Sequence, residues 1–267
     1  MIRKAAVAGS FYPTEPAELK DMVKGFCPPD TEKVSAKAII CPHAGYIYSG
    51  AVAGAVYASI EVPGTVILLG PNHTGMGAQA AVMRKGVWEI PTGELAVNEA
   101  LAEEVISSCA LFTEDTEAHI MEHSLEVQLP FLYHLNSEAK IVPVTLMGTN
   151  YEGAREMGEA LAGVISAHKE KILVVVSSDM NHYESEAATR MKDNMAIQQV
   201  LALDAEGLLE VTSRKNITMC GAFPAAAAIT AMTNLDACEA ALVTYGTSGP
   251  VSGDMEHVVG YAGFTIN

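Results

Sequence analysis

The stretch Thr65–His73, TVILLGPNH, decides the fold. Its apolar run Val66–Leu69 is too short for a helix and too unbroken for a strand that is exposed on one face, so it predicts a strand covered on both faces of a sheet. Gly70 and Pro71 end this strand, because proline cannot donate to a sheet ladder. His73 then follows in the loop. We therefore expect a buried strand that delivers a histidine to its carboxyl end.

Two other stretches repeat this pattern. AIIC at 38–41 runs into His43, and ILVVV at 172–176 runs into SSDMNH, which ends at His182. If the three strands lie parallel in one sheet, their loops open at the same edge, where open α/β sheets bind ligands. We expect at least two of these three histidines to share one site.

The remaining pattern predicts a single α/β domain over residues 1–267, with three α/β/α layers around a mixed, largely parallel sheet. Thr14 is expected to cap the first helix, which runs to about Phe26. Residues Met121–Leu135 are expected to form one helix, kinked at Pro130. Further helices are expected near 49–60, 98–109, 151–168, 185–203, 204–213 and 221–233, and closing strands near 239–246 and 257–266.

The composition narrows the classes of partner. Lysine and arginine total 16 against 32 acidic residues, a net charge of −16, and such a surface repels nucleic acid and anionic lipid. The longest apolar stretch, Ala222–Met232, contains a proline and is too short for a membrane span. The five cysteines are odd in number, with no CxxC motif, which is typical of free thiols in a reducing compartment. We expect a cytoplasmic protein without nucleic-acid or membrane partners.

The histidine loops carry the candidate chemistry. Imidazole is the commonest neutral metal ligand, and it also exchanges protons near neutral pH. Asp179 lies three residues before His182. It has three alternative roles: orienting His182 as an acid or base, binding a metal, or capping the helix that follows.

Cys220 is a further candidate, in TMCGAFP at 218–224. It lies where a polar segment meets the N-terminus of an apolar helix, a position that lowers a thiol pKa and favours the thiolate that binds metal or attacks carbon. The alternative is a small buried residue.

His119 and His123 are four residues apart and would share a face of a continuous helix. The HExxH signature of zinc proteases is absent here, and Glu122 and Glu126 favour a capping network as an alternative. The sequence also contains no Walker loop, no GxGxxG after a strand and no GxSxG.

Six blocks in this order, AVAGSFYP, PHAGYIYSG, LLGPNHTG, EHSLEVQLPFL, SSDMNHY and MCGAFP, resemble the Memo family. The resemblance includes its prokaryotic branch, labelled AmmeMemoRadiSam system protein B, and runs from the first residues to the last strand. That family is similar in fold to the class III extradiol dioxygenases, the LigB group. Those enzymes hold non-haem Fe(II) with two histidines and a carboxylate and open catechol rings with O₂. The resemblance implies a LigB-like fold.

The resemblance also implies roles for individual residues. The implied metal ligands are His43, His73 and Cys220. His123 and His182 are implied to line the same pocket as catalytic residues, with Asp179 beside them.

A thiolate in place of the dioxygenase carboxylate changes the expected chemistry. Two histidines and one thiolate suit copper or zinc as well as iron, and a thiolate is itself oxidisable. Ring-opening activity is therefore not carried over. We expect one divalent or redox-active metal ion, with iron or copper favoured and zinc as the alternative.

Four functions fit these expectations. The first is a metal-dependent oxidoreductase with a small-molecule or peptide substrate, in which His182 moves protons. The second is a metal-independent peptide-binding or adaptor module, since eukaryotic relatives are described as adaptors that recognise phosphotyrosine peptides. No arginine lies in the histidine loops, which disfavours this function. The third is a zinc-dependent hydrolase. The fourth, implied by the family label, is a component of a modifying system with AMMECR-type and radical SAM protein partners.

Overall fold

A mixed sheet of nine strands forms the centre of the molecule, and a three-stranded sheet lies beside it. The computed structural model describes residues 1–29, 31–148 and 150–267. In chain order the strands are β1 (Ile2–Arg3), β2 (Ala38–Cys41), β3 (Thr65–Pro71), β4 (Ala80–Val82), β5 (Val87–Ile90), β6 (Gly93–Ala96), β7 (Thr113–Glu114), β8 (Lys140–Leu146), β9 (Ile172–Ser177), β10 (His182–Glu184), β11 (Ala240–Thr247) and β12 (Val258–Ile266).

Helices cover the sheet. In chain order they are α1 (Pro16–Phe26), α2 (Tyr46–Ala58), α3 (Glu99–Ser108), α4 (Glu117–Ile120), α5 (Leu129–Leu135), α6 (Tyr151–Ala167), α7 (Glu186–Leu201), α8 (Ala205–Arg214), α9 (Ala222–Thr233) and α10 (Gly249–Ser252). No helix in the described ranges combines the length and the apolar character that crossing a membrane requires.

Four neighbouring strands, β2, β9, β3 and β8, run parallel in that order. Ile40 on β2 and Leu69 on β3 are both in register with Val176 on β9, and all three side chains are fully buried. Continuous apolar runs are typical of parallel strands covered on both faces. The three strands therefore end at the same edge of the sheet, as the sequence predicts.

Antiparallel pairs extend the sheet on both sides. β12 pairs antiparallel with β2, β10 and β11, while β4 pairs antiparallel with β8 and parallel with β7. Helix α9 packs on β2, β3 and β9, and α2 packs on β2, β11 and β12. The expected α/β fold, with helices on a mixed, largely parallel sheet, is confirmed.

The expected helix over Met121–Leu135 is wrong. Helix α4 ends at Ile120, a 3-10 turn occupies Glu126–Gln128, and α5 begins only at Leu129. Pro130 lies in the first turn of α5, where a missing N–H costs nothing, so it does not kink a longer helix.

The chain leaves the helical path because the Glu122 carboxylate accepts hydrogen bonds from the backbone N–H groups of His123 and Ser124, each at 2.9 Å. Such local side-chain bonds compete with helical ones. The expected cap at Thr14 is also wrong, since the residue at the N-terminal boundary of α1 is Glu15, without a side-chain capping bond.

The contact between α6 and α9 predicts opposite effects for two glycines of the same helix. A Cβ at Gly158 would lie 2.5 Å from the Ala227 carbonyl oxygen of α9, whereas a Cβ at Gly163 meets nothing within 4 Å. We expect Gly158→Ala to lower the free energy of unfolding by about 1–3 kcal/mol through overpacking. Gly163→Ala should raise it by up to about 1 kcal/mol through helix propensity. Urea unfolding measures both, and a Gly158→Ala variant as stable as Gly163→Ala would contradict the packing.

Candidate metal centre

Three histidines converge at the carboxyl edge of the parallel strands. His43 follows β2, His73 follows β3, and His123 lies in the loop before the 3-10 turn. One ring nitrogen from each lies within 4.8 Å of the other two. The ring centroids are 5.2 Å apart for His43 and His73, 5.4 Å for His43 and His123, and 4.6 Å for His73 and His123. This group could hold a metal ion.

His43 is buried, and its tautomer is set by Ser177 at the end of β9. The Ser177 hydroxyl donates to the Ser124 carbonyl at 2.6 Å and accepts a hydrogen bond from the Gln128 amide at 2.8 Å. His43 Nδ1 lies 2.9 Å from the same oxygen. Because the single hydroxyl proton is already used, His43 Nδ1 is the donor. Its Nε2 then carries the lone pair, which is available to a metal.

His73 is held by Glu122 in the same way. Its Nδ1 lies 2.9 Å from Glu122 Oε1, and its backbone N–H donates to the other carboxylate oxygen. Glu122 is fully buried. Burial raises the pKa of its carboxyl, but the hydrogen bond and charge of His73 and the backbone donor at Ser124 outweigh it and lower the pKa to about 2. An ionised carboxylate only accepts, so His73 Nδ1 is the donor and Nε2 is the ring nitrogen left for a metal, an arrangement common in metal sites.

His123 packs between two rings. It stacks on His73 with an interplanar angle of 25°, and Phe11 lies 4.7 Å away, centroid to centroid. Its Nδ1 is 3.4 Å from Glu122 Oε1. Burial lowers the pKa of both His43 and His123. Both rings are therefore neutral at pH 7, the form that binds metals.

Cys220 lies next to this group, just before α9. Its Sγ is 3.2 Å from His43 Nε2, and the backbone N–H of Asp179 donates to the sulfur at 3.3 Å. Among the described residues, the group whose ligand atoms all lie within 4.8 Å of one another contains the three histidines and not Cys220. The assignment of Cys220 as a ligand stays a prediction.

The electrostatics of Cys220 differ from the expectation. Its position before α9 favours a lowered thiol pKa, but burial raises the pKa of this thiol far above its ordinary value. The metal-free cysteine is therefore a thiol. A metal would displace its proton, as metal binding to cysteine generally does.

Asp179 connects the loop of His43 with the segment of Cys220. Its Oδ1 accepts the backbone N–H of His43 at 2.8 Å. Burial raises its pKa to about 7. The cap of the following helix α7 is Ser185, whose side chain accepts from the backbone N–H of Ala188, so Asp179 does not cap that helix.

His182 lies at the start of β10 and faces the same pocket. Its Nδ1 is 2.9 Å from the Thr218 carbonyl oxygen, and its backbone N–H donates to Thr218 Oγ1 at 2.8 Å. Since a carbonyl only accepts, Nδ1 is the donor and Nε2 carries a lone pair. Burial also lowers the pKa of His182. These properties suit a general base.

An open pocket of about 630 Å³ leads to these groups. Asp254 and His257 lie among its lining residues, where Asp254 Oδ2 is 3.3 Å from His257 Nδ1. The described residues that line the pocket include no lysine and no arginine. Its aromatic lining residues are Phe11, Tyr48, Tyr183 and Tyr261.

The structure brings the sequence-predicted residues into one region. These are His43, His73, His123, Asp179, His182 and Cys220. Sequence reasoning missed the roles of Ser177 and Gln128, and it assigned Glu122 only to a capping network. His257 also lines the pocket. A polar residue at the end of a buried strand was the available signal for Ser177.

Comparison with known proteins identifies the family. The family model described as Memo-like protein matches residues 3–265. A MEMO1 family protein of Aquifex aeolicus (strain VF5) is 42% identical, and one of Methanopyrus kandleri (strain AV19) is 40% identical, each match covering 98% of both chains. An uncharacterized protein from Escherichia coli K12 shares the fold, with a TM-score of 0.55 at 12% identity over 84% of this chain and 98% of that chain. The chain belongs to the Memo family.

Proposed function

We propose that this protein is a metal-dependent oxidoreductase that binds one metal ion with His43, His73 and Cys220. The observation that carries this proposal is the convergence of donors. His43 and His73 each use Nδ1 in a hydrogen bond, which leaves Nε2 for a metal, and Cys220 Sγ lies 3.2 Å from His43 Nε2. Neutral imidazoles with a displaceable thiol proton are a suitable ligand set for a metal ion.

The ligand set also supports the choice of metal. Imidazole and thiolate suit iron, copper and zinc, whereas magnesium and calcium prefer oxygen ligands. Bound iron or copper would supply one-electron chemistry next to the pocket. Zinc on the same ligands would instead support hydrolysis, so the identity of the metal separates the two functions.

Two residues beside the ligands can move protons. His182 presents Nε2 as an acceptor, because Nδ1 donates to the Thr218 carbonyl. Asp179, with a pKa of about 7, can gain or lose a proton near neutral pH, as an acid–base catalyst requires. His123 lies against His73 at the pocket, where it can hydrogen-bond a bound substrate.

The charge of the pocket disfavours a phosphopeptide adaptor. Phosphate recognition depends on arginine or lysine, and the described lining residues include neither. A neutral or cationic substrate fits this lining better.

The first test is the metal content of anaerobically purified protein. We expect stoichiometric iron or copper in the wild type, loss of that metal in His73→Ala, and retention in His134→Ala, which changes an exposed histidine outside the site. Elemental analysis of the three proteins measures this. Stoichiometric zinc would contradict the oxidoreductase function and support the zinc-dependent hydrolase instead. Absence of metal from the wild type after reconstitution would refute a metal centre.

A second test separates Cys220 from His123 as the third ligand. With Co²⁺ as a probe, we expect the wild type to show thiolate-to-cobalt charge-transfer absorption. Cys220→Ser should lose this absorption and bind Co²⁺ more than about tenfold more weakly, a change of about 1.4 kcal/mol. His123→Ala should keep the absorption. The reverse result would assign the third position to His123.

The raised pKa of Asp179 predicts a pH-dependent stability of the metal-free protein. A carboxyl with a folded-state pKa of about 7 against an ordinary value of 3.8 stabilises the fold fully below pH 3.8. This contribution is lost as the pH rises to about 7. Asn does not titrate, so Asp179→Asn should gain stability relative to the wild type between about pH 4 and pH 7.

Urea unfolding of the metal-free proteins at several pH values measures this difference. Asp254→Asn is the matched control, because Asp254 is exposed and its pKa lies below the ordinary value. Its stability difference from the wild type should stay constant above pH 5. A difference for Asp179→Asn that does not change with pH would contradict the assigned pKa.

A further inference from the structure

An ion pair and several hydrogen bonds hold the N-terminal segment against the region that carries His123. Arg3 is 2% exposed, and its guanidinium forms an ion pair with the fully buried Glu126. The same guanidinium donates to the Glu122 carbonyl at 2.6 Å and to the His119 carbonyl at 3.0 Å. The Arg3 side chain therefore contacts α4, the loop that follows it and the first residue of the 3-10 turn.

Glu126 in turn accepts hydrogen bonds from several residues of the N-terminal segment. Its carboxylate accepts the backbone N–H groups of Ala6 at 2.8 Å and Val7 at 3.0 Å, and the hydroxyl of Tyr12. With Arg3, these are four donors on one buried carboxylate. A buried ion pair is tolerated when its hydrogen bonds are this well satisfied, and removing one partner is strongly destabilising.

The loop held by Arg3 is the loop that orients the metal-binding histidines. Arg3 fixes the Glu122 carbonyl, while the Glu122 carboxylate fixes His73 Nδ1 and the backbone of His123. The N-terminal segment also reaches the site directly, since the Phe11 ring packs on His123. The Phe11 carbonyl oxygen accepts the N–H of Tyr46 at 2.8 Å, just after the His43 loop.

We propose that residues 3–12 are a positioning element of the metal centre, so that docking of this segment and metal binding are thermodynamically coupled. This inference rests on the proposed metal site but requires no particular metal or reaction. Among the described residues Arg3 forms no hydrogen bond with a metal-binding ring, yet it holds the backbone of Glu122, whose carboxylate orients His73. Coupling between two sites is reciprocal in free energy. Whatever factor docking adds to metal affinity, the metal adds to docking.

Zinc binding to the full chain tests whether docking of residues 3–12 raises the affinity for a metal. Arg3→Gln should weaken Zn²⁺ binding by about 10–100-fold, the usual effect of losing a residue that orients a ligand. Lys4→Gln is the matched control, because the neighbouring Lys4 forms an exposed surface pair with Glu89. Its zinc affinity should match the wild type. Competition titration with a chromophoric chelator measures all three affinities.

Hydrogen exchange tests whether metal binding strengthens the docking of residues 3–12. A purely structural role of Arg3 would not make the exchange rates of this segment depend on zinc. Zn²⁺ should slow exchange of the Ala6 and Val7 amides in the wild type, under conditions where global unfolding is negligible. In Arg3→Gln the slowing should be lost. The Leu101 amide, which donates to Asn98 at the start of α3, should be unaffected by zinc in both proteins.

A double variant keeps the proposal testable if Arg3→Gln does not fold. Arg3→Gln combined with Glu126→Gln leaves no unpaired buried charge, and we expect a folded protein with weakened Zn²⁺ binding. A folded Arg3→Gln or double variant with wild-type zinc affinity would overturn the coupling while leaving the metal site intact. A wild type that binds no zinc would overturn the proposed metal site, and this inference with it.

Discussion

The parallel register of β2, β9 and β3 is the constraint on which the site depends. Because Ile40, Val176 and Leu69 lie in one row, the loops that follow these strands emerge at the same edge. The rigid, fully buried strands set the positions of His43 and His73 without any bond between the two rings. Every other part of the centre, including the loop of His123 and the start of α9, is arranged around these two fixed points.

Buried hydrogen bonds then decide the chemistry of the rings. His43 and His73 each use Nδ1 as a donor, to Ser177 and Glu122 respectively, so on both rings Nε2 is the nitrogen left for a metal. Burial keeps His43 and His123 neutral. The same burial raises the pKa of Cys220 and Asp179. The site therefore combines neutral imidazole rings with thiol and carboxyl protons that a cation can displace. Both features favour metal binding.

Local patterns predicted the strands and the histidine loops because hydrophobic runs and their breakers lie close together in the chain. They failed at residues 121–135, where a helical apolar spacing is overridden by the carboxylate of Glu122 on neighbouring backbone N–H groups. The contacts of Glu122 with His73 and of Glu126 with Arg3 join residues 49 and 123 positions apart. No short-range pattern encodes such pairs. Cys220 and His123 entered the site through family resemblance, since their spacing alone left alternatives open.

The lining of the pocket has a kinetic consequence. A mouth that contains Asp254 and no described lysine or arginine, on a chain with a net charge of −16, produces a negative potential along the approach to the histidines. Such a field accelerates the arrival of cations and retards anions, and dissolved salt weakens it over a distance of about 10 Å at 0.1 M ionic strength. The rate at which a metal ion would reach the three histidines is therefore set partly by the ionic strength of the surroundings, even where the final affinity is set by the ligands.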